Sequence, residues 1–191
     1  MKKIVFISTI LFITLTQAQN SFETGTLTLR SGEILNGEVK ILLGNKTIRF
    51  KDSAKKSKEL NYREVEQVTI KKDDKTLVYK YKILAGKEPL LMQVIKEYKG
   101  IINLYAIEQT RDYGMIATNF AIYYVNKGSG VEVIKLGSSD MIFGKKKFKK
   151  TAKKFFNNCP ELLKKIESNE FKRSNDVEQI IEYYKQNCGG S

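Results

Sequence analysis

Short alternating segments separated by turn dipeptides occupy most of the chain, from Thr24 to about Phe143. In the first of them, "TGTLTLRSGEILNGEVKI", Leu27 and Leu29 alternate with Thr and Arg, and Ser31-Gly32 marks a turn. Alternation with a period of two places apolar side chains on one face of a strand, and glycine supplies the positive φ of tight turns. The pattern therefore predicts short β-strands joined by tight turns.

Further turn signals divide this region into eight or nine strands. They are Gly44-Asn45, the "KKDDK" loop around Asp73-Asp74, Lys99-Gly100 and Gly128-Ser129-Gly130, with a polar loop over 52–58. Strands joined by such short connections pair antiparallel, because a parallel connection needs a crossover of a dozen or more residues. We therefore expect residues 19–144 to form an antiparallel β-meander that packs as a sandwich or an open barrel. Gly37 is expected to mark a bulge.

From Lys145 onward the hydrophobic period changes to that of a helix. Phe148, Ala152, Phe155 and Phe156 are spaced at i, i+4, i+7 and i+8, which places them on one helical face. A second helix is expected from Pro160 and a third before Gly189-Gly190, since proline suits the first helical position and glycine the C-terminal end. The predicted fold class is mainly β with C-terminal helices (α+β), with two to three short helices in a tail over 145–191.

The first of these helices carries the densest charge in the chain. Its lysines are Lys145, Lys146, Lys147, Lys149, Lys150, Lys153 and Lys154. Because three large phenylalanines on the opposite face favour burial, we expect the stripe to dock on the rest of the protein and the lysines to be solvated. Two alternatives stay open: the lysines bind an anionic partner such as an acidic polymer, or the helix lies on a membrane surface with its stripe down.

The N-terminal residues have the layout of a secretory signal peptide. Lys2 and Lys3 precede an apolar run over Ile4–Leu15, and Thr16-Gln17-Ala18 is a small-residue cleavage site. The apolar run is short for a membrane span, although an uncleaved anchor is the alternative. We expect export with cleavage after Ala18 to the periplasm or the cell exterior, without a lipid anchor, because residue 19 is Gln and not Cys. No later stretch predicts a transmembrane segment.

The charge of the chain argues against a nucleic-acid partner. The formal net charge is +13, and it comes from 29 lysines and only 5 arginines. Proteins that read phosphates and base edges favour Arg, because its planar fork makes bidentate contacts. A Lys-dominated surface is typical of solubility, of genomic base composition or of diffuse attraction to anions, and together with the predicted export it predicts no nucleic-acid binding.

Cys159 and Cys188 are the only cysteines. If the second and third helices form an antiparallel hairpin through "SNEFKRSN", both cysteines lie at the same end and face inward, which is the geometry of a disulfide. An exported compartment permits that bond. The alternatives are two free thiols, or a reactive thiol pair that lacks both C-x-x-C spacing and a histidine base.

The chain contains no histidine, which removes the usual general base and the commonest zinc ligand. We therefore expect no metal, no cofactor and no catalytic residue, with a hydrolase acting through carboxylates and tyrosines as a less favoured alternative. Tyr79 and Tyr81 share one face of a predicted strand. Tyrosine packs well on sheets, so structural packing is expected for both, and an aromatic surface for a glycan or a peptide is the alternative.

Two stretches carry a resemblance to a known group of proteins. "GTLTLRSGEILNGEVK" and "FFNNCPELLKKIESNEFKRSNDVEQIIEYYKQNC" resemble the opening hairpin and the C-terminal segment of small uncharacterised exported proteins of Bacteroidetes-type bacteria. The resemblance implies an envelope location and a β domain with a helical tail, and it supplies no catalytic residue. The expected function is a non-enzymatic binding or structural module of the cell envelope, whose partner is an envelope protein or a glycan.

Overall fold

The computed structural model describes residues 21–42, 44–112, 117–139, 145–171 and 176–189, so the predicted signal peptide lies outside the described residues. Ten strands precede three helices, which confirms the predicted fold class. The strands are β1 (Glu23–Leu29), β2 (Ile34–Ile41), β3 (Thr47–Lys51), β4 (Ser57–Asn61), β5 (Val65–Lys72), β6 (Lys75–Leu84), β7 (Leu90–Tyr98), β8 (Ile102–Asp112), β9 (Ala117–Lys127) and β10 (Glu132–Ser138). The helices are α1 (Lys145–Phe155), α2 (Pro160–Glu167) and α3 (Val177–Asn187).

Strand β4 begins within residues 52–58, which the sequence predicts as a polar loop. Among its residues only Leu60 is buried, so the period-two pattern of a half-buried strand is absent. β4 lies at the edge of the sheet and pairs only with β3. Edge strands are short and charged because they are solvated on one side, and a search for hydrophobic alternation misses them.

All ten strands form one sheet in the order β10-β9-β8-β7-β6-β5-β1-β2-β3-β4. β1 to β4 form one antiparallel meander and β5 to β10 another, but β5 pairs with β1 and not with β4. Only residues 62–64 separate β4 from β5. The sheet must therefore curl until β4 returns beside the start of β5. Arg30 holds this corner, because its N–H donates to Glu64 O at 2.9 Å and its Nε donates to Tyr62 O at 2.7 Å.

The curled sheet forms two rolls that share β6. The first roll, β1 to β6, encloses an apolar cluster with Leu27, Val39, Ile48, Phe50, Val65 and Val68 at its centre. The second roll, β6 to β10, closes where Glu132 and Val133 of β10 pair in parallel with Ile83 and Leu84 of β6. It encloses Met92, Tyr105, Ile107, Ile122, Tyr124 and Val133. The sequence does not distinguish a sandwich from an open barrel. In the structure, a single sheet curls into two parts, each of which encloses an apolar cluster.

Gly37 pairs in register with Gly25 across β1 and β2 and does not form the expected bulge. A Cβ atom on Gly37 would lie 2.1 Å from the backbone oxygen of Lys51 and 2.8 Å from the ring of Phe50. The absence of a side chain therefore lets β2 and β3 pack closely in the first roll.

The three helices cover the outer face of the second roll. Phe148, Ala152 and Phe156 of the predicted stripe are buried, and Phe155 is half-buried against the same cluster. They pack with sheet residues that include Ile102, Leu104, Val125 and Leu136. Docking of the stripe is thus confirmed, and none of the described helices has the length and apolar character needed to cross a membrane.

The disulfide between Cys159 and Cys188 is present, as the helical hairpin predicts. Cys159 directly precedes α2 and Cys188 directly follows α3, and their Cα atoms lie 5.7 Å apart. The bond therefore joins the start of α2 to the end of α3. Cys159 is fully buried in the cluster under the helices.

Candidate binding groove

The turn between β2 and β3 inserts next to the start of β7. Leu91 donates its N–H to the backbone oxygen of Asn45 at 2.7 Å, and the Asn45 side-chain amide donates to Leu91 O at 3.0 Å. Leu91 lies opposite Tyr81 of β6. Because the N–H and C=O of Leu91 bond to Asn45, they point away from β6 and toward the side of β7 on which β8 lies. The predicted Gly44-Asn45 turn is confirmed, with φ of 83° and 56°, and it takes the place that β8 would need to pair with Leu91.

β8 consequently separates from β7 at this level. The pairing of the two strands runs from Tyr98↔Ile102 to Gln93↔Ala106 and ends there, while β8 stays paired with β9 as far as Asp112. A groove of about 760 Å³ follows the separation and is called here the β7–β8 groove. It is larger than a pocket of about 370 Å³ that lies over Gly25 and Gly37.

The β7–β8 groove is amphiphilic. In the strand order of the sheet, one side is apolar, the middle is a row of Tyr79, Gln93 and Ala106 in register, and the far side is polar. The apolar side consists of Val39, Ile41, Ile70 and Leu77, and the polar side includes Glu108, Gln109 and Thr110. Glu23, Lys40 and Lys72 add charges of both signs. An aromatic ring with amides and an apolar wall suits a ligand that is itself part polar and part apolar.

Tyr79 is the part of the predicted aromatic surface that reaches the groove. Its side chain is half-buried in the middle row. Burial, and secondarily the negative charge of Glu108, raises the pKa of Tyr79 to about 12. The phenol is therefore neutral at physiological pH and can donate a hydrogen bond.

Tyr81 does not belong to an exposed aromatic surface. It is 6% exposed within the first roll, and its hydroxyl donates to Lys46 O at 3.1 Å. Its ring packs edge-on against Tyr62. Since Lys46 follows Asn45, Tyr81 helps to hold the turn that opens the β7–β8 groove, which is a structural role.

Replacing Glu108 with Gln is expected to lower the pKa of Tyr79 below about 12 while burial keeps it above 10.0. Because the raised pKa belongs to the folded state, its contribution to stability is complete below pH 10.0 and is lost as the pH rises towards about 12. Phenolate absorbance measured against pH would show the shift. A Tyr79→Phe variant isolates the Tyr79 transition from that of Tyr81, whose pKa is also about 12. An unchanged titration in Glu108→Gln would contradict the coupling.

The lysines of α1 divide into two groups. Lys149 donates to the backbone oxygen of Glu167 at 3.0 Å, and Lys153 Nζ lies 3.5 Å from the Glu167 carboxylate. Both therefore stabilise the negative C-terminal end of α2. Lys147, Lys150 and Lys154 are exposed and form no ion pair with another described residue. The side chains of Lys145 and Lys146 lie outside the described part of the chain.

A polar cluster lies inside the second roll, away from the groove. Lys82 is 7% exposed, with Nζ 4.6 Å from the ring centroid of Tyr105, and burial lowers the pKa of Lys82 despite nearby Glu97. Asn103 donates to Asn126 Oδ1 at 3.0 Å. Asn103 Oδ1 is buried without a hydrogen bond from a described residue. None of these side chains lines the β7–β8 groove.

The groove residues Asn45, Gln93 and Glu108 were not singled out by sequence reasoning. The turn at Asn45 is visible in the sequence, but its bond to Leu91 spans 46 residues and has no local signal. Gln93 and Glu108 are ordinary strand residues until β8 leaves β7. Within the described ranges, no cluster of three or more His, Cys, Asp or Glu side chains is arranged to hold a metal ion.

No family model matches the chain, and no curated protein or solved structure matches it. The interpretation of the β7–β8 groove therefore rests on its own geometry.

Proposed function

We propose that this protein is an exported, non-enzymatic binding module of the bacterial cell envelope, and that the β7–β8 groove is its binding surface. The observation that carries the proposal is the groove itself, which both rolls line and which combines Tyr79, amide groups and an apolar wall. Specific ligand sites commonly have this combination of concave shape, apolar surface and a few polar groups.

The direction of the carboxyl pKa shifts favours binding over catalysis. A general acid at neutral pH needs a raised carboxyl pKa. Among the described residues, the carboxyl groups with a shifted pKa are Glu38, Glu88 and Glu182, and hydrogen bonds from Lys55, Lys46 and Tyr98 lower all three. Each is engaged in a surface contact outside the groove. The neutral phenol of Tyr79 in the groove suits hydrogen bonding to a ligand.

Export is supported by the Cys159–Cys188 disulfide together with the N-terminal sequence. Structural disulfides persist in oxidising compartments and are rare in the bacterial cytoplasm. The positive start, apolar run and small-residue site at the N-terminus predict the corresponding export signal.

Filling the groove should abolish capture of the partner. A bait of residues 19–191 with Gln93→Trp is expected to capture at least about tenfold less partner from an envelope extract than the parent bait, because the indole occupies the space between the two walls of the groove. Gln93→Asn is the matched control, since asparagine keeps the amide, is too small to fill the groove and should leave capture largely intact. Circular dichroism would verify that both variants are folded. Equal capture by the tryptophan variant and the parent would overturn the groove as the binding surface.

The same experiment tests the lysine face of α1. A bait with Lys147, Lys150 and Lys154 replaced by Gln removes three exposed positive charges and leaves the Glu167 contacts of Lys149 and Lys153 in place. Loss of capture in this bait, with loss of capture in the parent as salt is raised, would assign binding to an anion site on α1. Retained capture would leave these lysines as a solvated helix face.

A further inference from the structure

The backbone of β8 presents an edge to the β7–β8 groove. Four consecutive residues, Ile107 to Thr110, line the groove. Successive side chains of a strand point to opposite faces of the sheet, so a run of neighbours can line one groove only if the edge of the strand faces it. The edge begins directly after Ala106, the last residue of β8 that pairs with β7.

The direction of the backbone groups of Glu108 follows from the pairing. The N–H and C=O of Leu91 point toward the β8 side, so those of Gln93, two residues later, do the same. Gln93 faces Ala106, which must point back toward β7. Glu108 is two residues beyond Ala106 on the same strand. Its N–H and C=O therefore point into the groove.

The opposite strand gives an independent check. Ala121 lies opposite Glu108 on β9, and its N–H donates to Ser139 Oγ at 2.8 Å while its oxygen accepts from Ser139 N–H at 2.8 Å. Ala121 thus bonds to the β10 side and not to β8. Glu108 and Ala121 form a pair without mutual hydrogen bonds, which leaves the Glu108 backbone directed away from β9.

Neither backbone group of Glu108 has a hydrogen-bond partner among the described residues. On the other side of the separation, the backbone of Leu91 is already satisfied by Asn45. Among the described residues, one wall of the groove is therefore closed at Leu91 and the other is open at Glu108. An exposed edge of this kind is a template for an additional strand.

We propose that the β7–β8 groove takes an extended peptide segment of a partner protein, which pairs with the β8 edge as an added strand; this inference rests on the proposed function. The Glu108 N–H and C=O match the donor and acceptor of an extended backbone. Alternate side chains of the segment then face the groove, where Tyr79, Ile41 and Leu77 favour apolar residues. The expected partner sequence has apolar side chains at every second position.

The peptide is favoured over a glycan by the backbone of Glu108. A glycan presents hydroxyl groups and rings, so it would use Tyr79 and the amide side chains and would have no need of a strand edge. An added strand needs the N–H of Glu108 and is insensitive to the identity of the Glu108 side chain. The two ligands are therefore separated by changes that affect only the backbone.

Glu108→Pro removes the N–H that an added strand requires, and Glu108→Ala is the matched control that keeps it. Because this N–H is unused in pairing with β9, proline at position 108 leaves the internal ladder intact, as at other strand edges. Selection from a phage library of random linear octapeptides on residues 19–191 supplies the probe. Enriched peptides are expected to show apolar residues at every second position, and to bind Glu108→Pro at least about tenfold more weakly than Glu108→Ala.

A second measurement uses the unchanged protein. An enriched peptide should slow amide hydrogen exchange at Glu108, and its twin with alternate backbone nitrogens methylated should bind at least about tenfold more weakly. Failure to enrich any peptide, or equal binding of the methylated twin, would overturn the added strand. A parent protein that dimerises through Glu108, with a monomeric proline variant, would overturn the partner peptide in favour of a second copy.

Two variants distinguish failure of strand addition from failure of the proposed function. Capture from envelope extract that is lost in Gln93→Trp and kept in Glu108→Pro would retain the binding module and overturn strand addition. A captured polysaccharide that resists protease would lead to the same conclusion. Capture that neither variant changes would overturn both proposals.

Discussion

Phe156→Ala is expected to lower the free energy of unfolding by about 4 kcal/mol, the cost of removing a fully buried aromatic side chain and leaving a cavity. Phe156 is 0% exposed. Its ring centroid lies 4.9 Å from that of Phe155 and 5.3 Å from that of Tyr184 on α3. The substitution therefore removes contacts between α1, the disulfide-linked hairpin and the sheet in one step. Urea denaturation monitored by circular dichroism would measure the change.

The matched control is Lys150→Ala on the exposed face of α1, the helix that ends directly before Phe156, where a change within about 0.5 kcal/mol is expected. The comparison tests whether α1 is docked in solution. A cost below about 1 kcal/mol for Phe156→Ala would contradict the docked helix. It would also make the phenylalanine stripe available to a membrane surface, the alternative that burial of the stripe now disfavours.

Replacing Cys159 and Cys188 together with alanine is expected to lower the free energy of unfolding by about 3.5 kcal/mol. The bond closes a loop between residues separated by 29 positions, and opening a loop of that length restores about this much chain entropy to the unfolded state. For a chain of this size the melting temperature should fall by roughly 10 °C. Denaturant and thermal unfolding of the parent and of the double variant would measure both changes.

Reduction provides the control for the cysteine prediction. A thiol reductant should bring the parent close to the stability of the double variant and should leave the variant unchanged. The unreduced, denatured parent should show no titratable thiol, because both cysteines are in the disulfide. Two titratable thiols, or a parent that is insensitive to reductant, would contradict a stabilising disulfide.

Features with a local period were predictable from the sequence. Alternation identified β1 and most of the later strands, and turn dipeptides such as Gly44-Asn45 located their ends. The spacing of Phe148, Ala152 and Phe156 identified the buried face of α1. The disulfide was predictable because a hairpin of two amphipathic helices places Cys159 and Cys188 at the same end. The edge strand β4 was partly missed because it has only one buried residue and therefore lacks the hydrophobic alternation that identified the other strands.

Features that depend on contacts between distant residues were not predictable. Tyr79 and Tyr81 occupy equivalent positions on one face of β6, yet Tyr79 reaches a groove and Tyr81 is buried under the β2–β3 turn. No property of the strand itself separates them. The closure of the second roll depends on the parallel pairing of β10 with β6, between residues about fifty positions apart.

The amino-acid sequence by itself determined the strands, the helices, the buried stripe and the disulfide, because side-chain period and turn chemistry act over a few neighbouring residues. The β7–β8 groove was decided only by the tertiary structure. Asn45 reaches Leu91 because the first roll curls, and β8 then loses its neighbour after Ala106. The open backbone of Glu108 is a consequence of register, and register depends on which distant strands meet.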